Sequence, residues 1–325
     1  MKALVCTQFG PPDALTITDC PAPSAGAKQI VVRVRAAGVN FPDVLMVQGK
    51  YQVTPPLPFT PGKEIAGIVT QIGAGVTAFK VGDRVCAQIP HGGFAEEALV
   101  AVNHLVARIP DGIDFVTAAA FPLAYSTSFH ALKRGQLKSG ETLLVLGASG
   151  GVGIAAVQLG KIMGARVIAC ASSEEKLELC RLHGADATIN YETSNLRDAI
   201  KQSTGGRGVD VVVDPVGDRY SEPAVRGMAW NGRYCVIGFA AGEIPKIPLN
   251  LVLLKGCSIV GVAVNSNARN DPTEYRENFA QLMEWIANGK LEPVVTATYP
   301  LARAADALAD AMARRIQGKV VVTPG

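Results

Sequence analysis

The sequence has no run of about 18 apolar residues, so no membrane-spanning helix is expected. It has no basic block or stripe either. Its 31 Lys and Arg are scattered among 28 Asp and Glu, for a net charge of +3. That speaks against a dedicated nucleic-acid surface and leaves room for a local phosphate site. The seven cysteines (Cys6, Cys20, Cys86, Cys170, Cys180, Cys235, Cys257) are odd in number and dispersed, with no Cys-x-x-Cys. Reduced thiols and a cytoplasmic setting are therefore expected. The four histidines (His91, His104, His130, His183) lack pair spacing, so no metal site is expected, and His130 reads as a packed or capping residue. A Gly-x-Ser-x-Gly elbow is missing, which removes support for nucleophilic hydrolysis. Met1-Lys2 runs straight into Ala3-Leu4-Val5-Cys6, which reads as a first strand and not as a secretory leader.

What is present is globular in character, with 48% hydrophobic and 18% charged residues. At roughly 100–200 residues per domain, 325 residues suggest two domains, each large enough for its own core. The positive mean hydropathy comes from short Val/Ile/Ala runs, as in strands covered on both faces. As far as about Ala120 the chain reads as strands with Gly/Pro punctuation, among them Ile30–Arg35 and Ile65–Gly73. Pro55, Pro56, Pro58 and Pro61 bracket a loop that no helix fits.

From about Phe121 the pattern changes. Strands at Thr142–Leu146, Arg166–Cys170, Ala187–Asn190, Val209–Val213, Gly232–Ile237 and Cys257–Val262 alternate with helices. The helices are expected at Gly153–Met163, Glu174–Leu182, Leu196–Gln202 and Arg219–Met228. Such alternation calls for a doubly wound parallel sheet. A long helix over Pro272–Asn288 follows, with Asp271-Pro272 as its start and Gly289 as its stop. A helix at Ala302–Arg315 and a strand at Lys319–Thr323 then suit a return to the first domain.

The strongest local signal is Leu143-Leu144-Val145-Leu146-Gly147-Ala148-Ser149-Gly150-Gly151-Val152-Gly153. A buried strand enters a glycine turn and a helix begins at once, which suits a dinucleotide pyrophosphate at the helix N-terminus. The spacing is Gly-x-x-Gly-Gly-x-Gly and not the strict Gly-x-Gly-x-x-Gly, so the whole strand-turn-helix-strand setting carries the reading. About 20 residues past the turn, an NAD-type site places an acid against the ribose. Here the strand ends in Ala171-Ser172-Ser173, with Lys176 a turn later, a set that favours the 2′-phosphate of NADPH. Glu174 and Glu175 would oppose that phosphate if they faced it, and would be harmless as a solvent-facing first helical turn.

These residues resemble the medium-chain dehydrogenase/reductase superfamily, and within it the zinc-free NADPH:quinone oxidoreductases related to zeta-crystallin. The likeness runs over essentially the whole chain. It rests on Ala37-Gly38-Val39-Asn40, Gln48-Gly49-Lys50-Tyr51, Pro61-Gly62-Lys63-Glu64-Ile65-Ala66-Gly67, Val81-Gly82-Asp83-Arg84-Val85, Gly92-Gly93-Phe94-Ala95-Glu96, the glycine turn and Val209–Asp214. The resemblance implies a discontinuous, strand-rich GroES-like catalytic domain over residues 1–122 and 267–325. It also implies an NADPH-binding Rossmann domain over 123–266. Zinc-dependent alcohol dehydrogenases of the superfamily carry Cys, His and Cys at the positions resembling Asn40, Lys63 and Leu123. Glu64 alone does not hold zinc.

The same resemblance assigns roles. Gly147, Ser149, Gly150, Gly151, Val152 and Gly153 cradle the pyrophosphate. Ser172, Ser173, Lys176 and Tyr191 hold the 2′-phosphate end, with Arg314, or Arg315 beside it, near that phosphate. Thr127 and Asn40 lie near the nicotinamide ribose, and Phe239 and Val264 line the nicotinamide. Asn40 and Tyr51 face the acceptor and are the catalytic candidates, since an amide N–H and a phenol O–H suit a developing oxyanion. Asn40 equally suits a loop, Tyr51 a packing aromatic and Asp43 a helix cap, and Glu64 is expected to pair with a nearby base.

The function so implied is zinc-independent hydride transfer from NADPH to a quinone. Reduction of an activated C=C bond in an enal, enone or enoyl thioester is the alternative within the same chemistry. A non-catalytic NADPH sensor or crystallin-like binding protein is the alternative outside it. In the family that the chain resembles, the sheet edge at Cys257–Val262 pairs across a two-fold, so the resemblance implies a homodimer; an edge covered by the following segment is the alternative.

Overall fold

The computed structural model describes residues 1–264 and 270–325. By contacts the chain divides into two compact units, Met1–Leu123 with Glu292–Gly325, and Ala124–Leu291.

The first unit opens with an antiparallel pair, β1 (Lys2–Val5) and β2 (Thr16–Asp19). Its main sheet has seven strands: β3 (Gln29–Gly38), β4 (Glu64–Ile72), β5 (Arg84–Gln88), β6 (Glu97–Ala101), β7 (Val106–Arg108), β14 (Val295–Pro300) and β15 (Lys319–Thr323). The order is β14-β15-β3-β4-β5-β7, and β6 also pairs with β3. The last strand therefore lies inside the sheet, parallel to β14 and antiparallel to β3, with Val321 opposite Gly38. β3 alternates only over Val32–Ala36, and its Ile30, Val32 and Val34 join Ile65, Val69, Val85 and Phe94 in one core. Each such aliphatic residue contributes roughly 1.5–3 kcal/mol on burial.

The second unit holds a six-stranded sheet whose pairings are all parallel. Its strands are β8 (Thr142–Val145), β9 (Arg166–Ala171), β10 (Ala187–Asn190), β11 (Val209–Asp214), β12 (Met228–Val236) and β13 (Ser258–Gly261), in the order β10-β9-β8-β11-β12-β13. This is the doubly wound dinucleotide-binding order, with its switch point between β8 and β11. The continuous apolar runs of β8 and β11 are buried throughout.

Among the described residues, four helices were not expected: Phe41–Val47, Phe115–Ala120, Pro122–Arg134 and Leu249–Lys255. Phe41–Val47 begins with Pro42 in its first turn, where the missing N–H costs nothing. Leu249–Lys255 follows Pro248 and ends at Gly256 in the left-handed region. The expected domain boundary at residues 266 and 267 lies outside the described residues. The helix Pro272–Ala287, expected with the first domain, clusters with the parallel-sheet unit. Trp285 meets Phe129 edge-on at 5.4 Å, and Asn278 accepts a hydrogen bond from Lys133 at 2.9 Å. Those contacts tie it to the helix Pro122–Arg134.

Candidate active site

Two groups of side chains carry chemistry, one in each unit. In the parallel-sheet unit, β8 ends at Val145 and the helix Gly151–Ile162 starts six residues later. Gly147 has φ +59, and a Cβ there would lie 2.6 Å from Val216 Cγ2. A Cβ on Gly153 would lie 2.2 Å from the Gly147 carbonyl, so the helix seats on its own entry turn only as glycine. Gly150 is the N-cap and brings no side chain to cap the first turn. The leading N–H groups of this helix, those of Gly151, Val152 and Gly153, lack intrahelical acceptors and suit an anion. The Ser128 hydroxyl donates to the Val152 carbonyl at 2.7 Å, and Tyr125 donates to Gln158 at 2.7 Å. Both bonds fasten the helix Pro122–Arg134, with its buried Thr127, to the glycine-turn helix.

At the end of β9, Ser173 caps the helix Glu174–Leu182 by accepting from the Lys176 N–H. The Lys176 ammonium donates to Ser172 Oγ at 3.2 Å. The Ser172–Lys176 pair is thus formed locally, and Ser173 caps the helix as an acceptor. Glu174 is exposed and pairs along its own helix with Arg181 at 2.5 Å. Tyr191, next after β10, donates its N–H to the Ala171 carbonyl and so stands beside Ser172. Its ring stacks on Tyr220 at 4.3 Å, and Tyr220 and Arg219 both bond Glu192. This aromatic and charged group escaped the sequence reading because Arg219 and Glu192 are 27 residues apart.

At the end of β11, Asp214 is buried and fully engaged. It accepts from the Val216 and Gly217 N–H groups at 2.7 and 2.8 Å, from Ser221 at 2.9 Å, and from the Tyr234 phenol. Burial and the Asp214 charge push the Tyr234 phenol pKa well up. Asp214 fixes the loop against which Phe239 packs, since a Cβ on Gly217 would lie 2.8 Å from Phe239 Cδ1. Val264 follows β13 and is 9% exposed.

The other unit carries a polar cluster. Glu64 is fully buried and its expected basic partner is Lys319, 2% exposed. Glu64 Oε1 accepts from Lys319 Nζ and from Asn40 Nδ2, each at 2.7 Å, and Oε2 accepts from the Leu123 N–H at 2.7 Å. The remaining Lys319 hydrogens go to the Val39 carbonyl at 2.9 Å and Asn40 Oδ1 at 2.7 Å. The Asn40 amide is therefore oriented by charge on both sides. Its second N–H has only a longer contact, 3.3 Å, to the Gly38 carbonyl. A Cβ on Gly38 would lie 2.2 Å from Glu64 Oε1, which accounts for the glycine before Asn40.

Asp43 closes the start of the helix Phe41–Val47 by accepting from the Asn40 N–H at 2.9 Å. It is fully buried, its Oδ1 has no hydrogen-bond partner, and burial raises its pKa to about 7 against the pull of Lys63. Lys63 is 8% exposed and sits 5.3 Å from the centre of the Tyr51 ring. Burial lowers its pKa, and Asp43 opposes that shift. Arg314 belongs to this same unit, in the left-handed region at φ +57, whereas Arg315 is taken by Asp310 at 2.5 Å.

Among the described residues, no three His, Cys, Asp or Glu are grouped to hold a metal. Asn40 and Lys63 offer zinc an amide already bonded and an ammonium, and Leu123 offers no ligand atom, so this donor set does not fit the metal.

Residues 26–111 match the family described as alcohol dehydrogenase GroES-like domain, and residues 151–288 match zinc-binding dehydrogenase. The quinone oxidoreductase-like protein 2 homolog of Nematostella vectensis is 38% identical over 325 residues, covering 99% of this chain and 88% of that protein. The rat quinone oxidoreductase is 36% identical, covering 95% of this chain and 93% of that protein. The crystal structure of Escherichia coli quinone oxidoreductase complexed with NADPH superposes with a TM-score of 0.92 at 28% identity, covering 100% of both chains. The glycine-turn helix, the parallel strand order and these full-length likenesses converge, and the chain belongs to the quinone oxidoreductase family of the medium-chain dehydrogenases/reductases, a family of oxidoreductase enzymes.

Proposed function

We propose that the enzyme is an NADPH-dependent, zinc-independent reductase that delivers a hydride to a quinone. The observation that carries the cofactor half is the uncapped first turn at Gly150–Gly153 together with the Ser172–Lys176 pair at the end of the next strand. A hydroxyl and an ammonium suit a 2′-phosphate, and no acid from β9 opposes it. Glu174 and Glu175 are both exposed and Glu174 pairs with Arg181 along its own helix, which supports this reading. The NADPH-complexed relative supports the same choice.

NADPH, when bound, supplies the hydride. The chain's residues bind, orient and stabilise. Gly147, Ser149, Gly150, Gly151, Val152 and Gly153 take the pyrophosphate. Ser172, Ser173, Lys176, Tyr191 and Arg314 take the phosphate end, and Thr127, Phe239 and Val264 the nicotinamide end. Asn40 and Tyr51 meet the acceptor. Asn40 contributes through its weakly used second N–H, and the Lys319–Glu64 pair stops its amide from turning over. In place of a metal, such donors stabilise the charge that grows on the acceptor oxygen.

The deciding experiment mixes metal-stripped enzyme and NADPH with an ortho-quinone, a para-quinone, a short enone and crotonyl thioester, with NADH in parallel, and follows loss of NADPH absorbance. Rapid zinc-independent oxidation by a quinone supports the proposal. Turnover with only the enone or thioester assigns the enzyme to the alkene reductases, and tight binding without turnover assigns a sensor.

We further propose a cytoplasmic homodimer joined along β13. Ile259 on that edge strand is 41% exposed, and Trp230, Leu249, Leu253 and Leu254 near it in the chain are 70–79% exposed. An apolar edge of this kind favours pairing with a second copy. Sedimentation equilibrium tests the dimer. Among the described residues, no helix is long and apolar enough to cross a membrane.

A further inference from the structure

The first unit buries two lysines, and they are spent differently. Lys319 uses all three of its hydrogens on Val39, Asn40 and Glu64. Lys63, nine-tenths buried, uses one, on the Pro90 carbonyl at 3.1 Å. Its ammonium forms no ion pair among the described residues and lies against the face of Tyr51. An ammonium taken out of water with two unspent N–H groups is costly unless something else accepts from it. The group it faces is the same Tyr51 that the proposed function puts beside the acceptor.

We propose that Lys63 is a catalytic residue whose ammonium donates a hydrogen bond, and then a proton, to the oxygen of the bound acceptor. The inference rests on the quinone-reductase reading and adds the proton source to it. The Tyr51 ring face holds the ammonium in place by its negative quadrupole. The acceptor gains two electrons and one hydrogen nucleus as hydride, and negative charge settles on its oxygen. An O–H bond forms as one N–H bond of Lys63 breaks, leaving a neutral amine that regains a proton from solvent. In sum, one quinone, one NADPH and one proton give one hydroquinone and one NADP⁺. The lowered Lys63 pKa brings the acid nearer to working pH, where proton transfer is most effective.

The titratable groups coupled to Lys63 are Asp43, from the helix Phe41–Val47, and His91, from the loop after β5. Glu64, its neighbour in β4, is coupled to Asp43. The test is a pH profile of the full-length enzyme with NADPH and a para-quinone. Wild-type kcat is expected to fall as pH rises through the lowered Lys63 pKa, and Asp43→Asn is expected to leave that alkaline limb in place. Lys63→Met is expected to lower kcat about 100-fold and to abolish the limb. Lys63→Arg keeps the charge but holds its proton, so it is expected to restore KM without restoring kcat. A second readout needs no turnover. Binding of 4-nitrophenolate, followed by its absorbance, is expected to weaken about tenfold in Lys63→Met and to persist in Lys63→Arg, the loss of one charge-assisted hydrogen bond.

Lys63→Met with kcat within twofold of wild type and an intact alkaline limb overturns the proposal, as does unchanged phenolate binding. If Lys63→Met does not fold, Lys63→Arg decides through the kcat limb. If the wild-type enzyme reduces no quinone, the quinone reading falls, and phenolate binding alone decides the role of Lys63.

Discussion

Lys319 Nζ lies 2.7 Å from Glu64 Oε1 although the two residues are 255 positions apart in the chain. The pair is buried, and both partners also hold Asn40, Lys319 by donating to its Oδ1 and Glu64 by accepting from its Nδ2. Removing one partner leaves an uncompensated charge in the sheet. Lys319→Met is therefore expected to lower the unfolding free energy by about 3–5 kcal/mol. Urea titration followed by circular dichroism measures the loss. The double variant Glu64→Met/Lys319→Met is expected to regain much of it, and a double variant as unstable as the single one contradicts the ion-pair account.

Asp43 gives the fold a pH dependence of definite sign. Its pKa is raised to about 7 by burial, from an ordinary 3.8. The folded state thus holds a proton that the unfolded state has released. Stability from this group is complete below about pH 4 and is lost as pH rises to about 7, at roughly 1.4 kcal/mol for each pH unit crossed. Asp43→Asn is expected to flatten that slope and to melt higher than wild type at pH 8. Thermal melts at pH 5, 6, 7 and 8 check it, and parallel slopes for the two proteins refute it.

Two glycines of the turn after β8 differ in what surrounds them. A Cβ on Gly153 collides with backbone at 2.2 Å, whereas a Cβ on Gly150 meets nothing closer than 3.5 Å. Gly153→Ala is expected to lower the melting temperature and to abolish NADPH binding together. Gly150→Ala is expected to melt like wild type and still bind NADPH at least tenfold more weakly, because the methyl group stands where the pyrophosphate approaches. Melting curves and fluorescence titrations separate the two. Wild-type affinity in Gly150→Ala would place the phosphates elsewhere.

In the proposed function the Ser172–Lys176 pair sets the cofactor preference. Lys176→Ala is expected to weaken NADPH about tenfold and to leave NADH unchanged, the loss of one charge-assisted hydrogen bond. Ser172→Asp is expected to go further and reverse the preference, because the carboxylate meets the ribose hydroxyls and repels a phosphate. Parallel titrations with the two nucleotides give the ratio, and equal losses for both would remove Lys176 from the phosphate end.

Local chemistry was readable where it is local. The helix Glu174–Leu182 and strand β10 end where the sequence ends them, because their caps and apolar runs are contiguous. The helix Phe41–Val47 was hidden by Pro42, which reads as a breaker until it is seen in a first turn. Leu249–Lys255 was hidden because its leucines show no amphipathic spacing and three are largely exposed. Glu64 was readable as half of a pair. Its partner was not, since only strand pairing brings Lys319 beside it. The unspent Lys63 and the orphaned Asp43 oxygen are likewise tertiary facts, invisible in any spacing of residues.

The place of β15 inside its sheet also bears on how the protein is made. A ribosome delivers residues 124–291 as one uninterrupted piece, so the parallel-sheet unit is complete while the chain is still growing. The other unit must wait. Until Lys319–Thr323 emerge, β3 lacks one of its three partner strands, β14 has none, and the Glu64 carboxylate is without its ammonium. The unit whose strands come earlier in the chain is thus the unit finished later, and a chain broken before Lys319 loses an inner strand of that sheet.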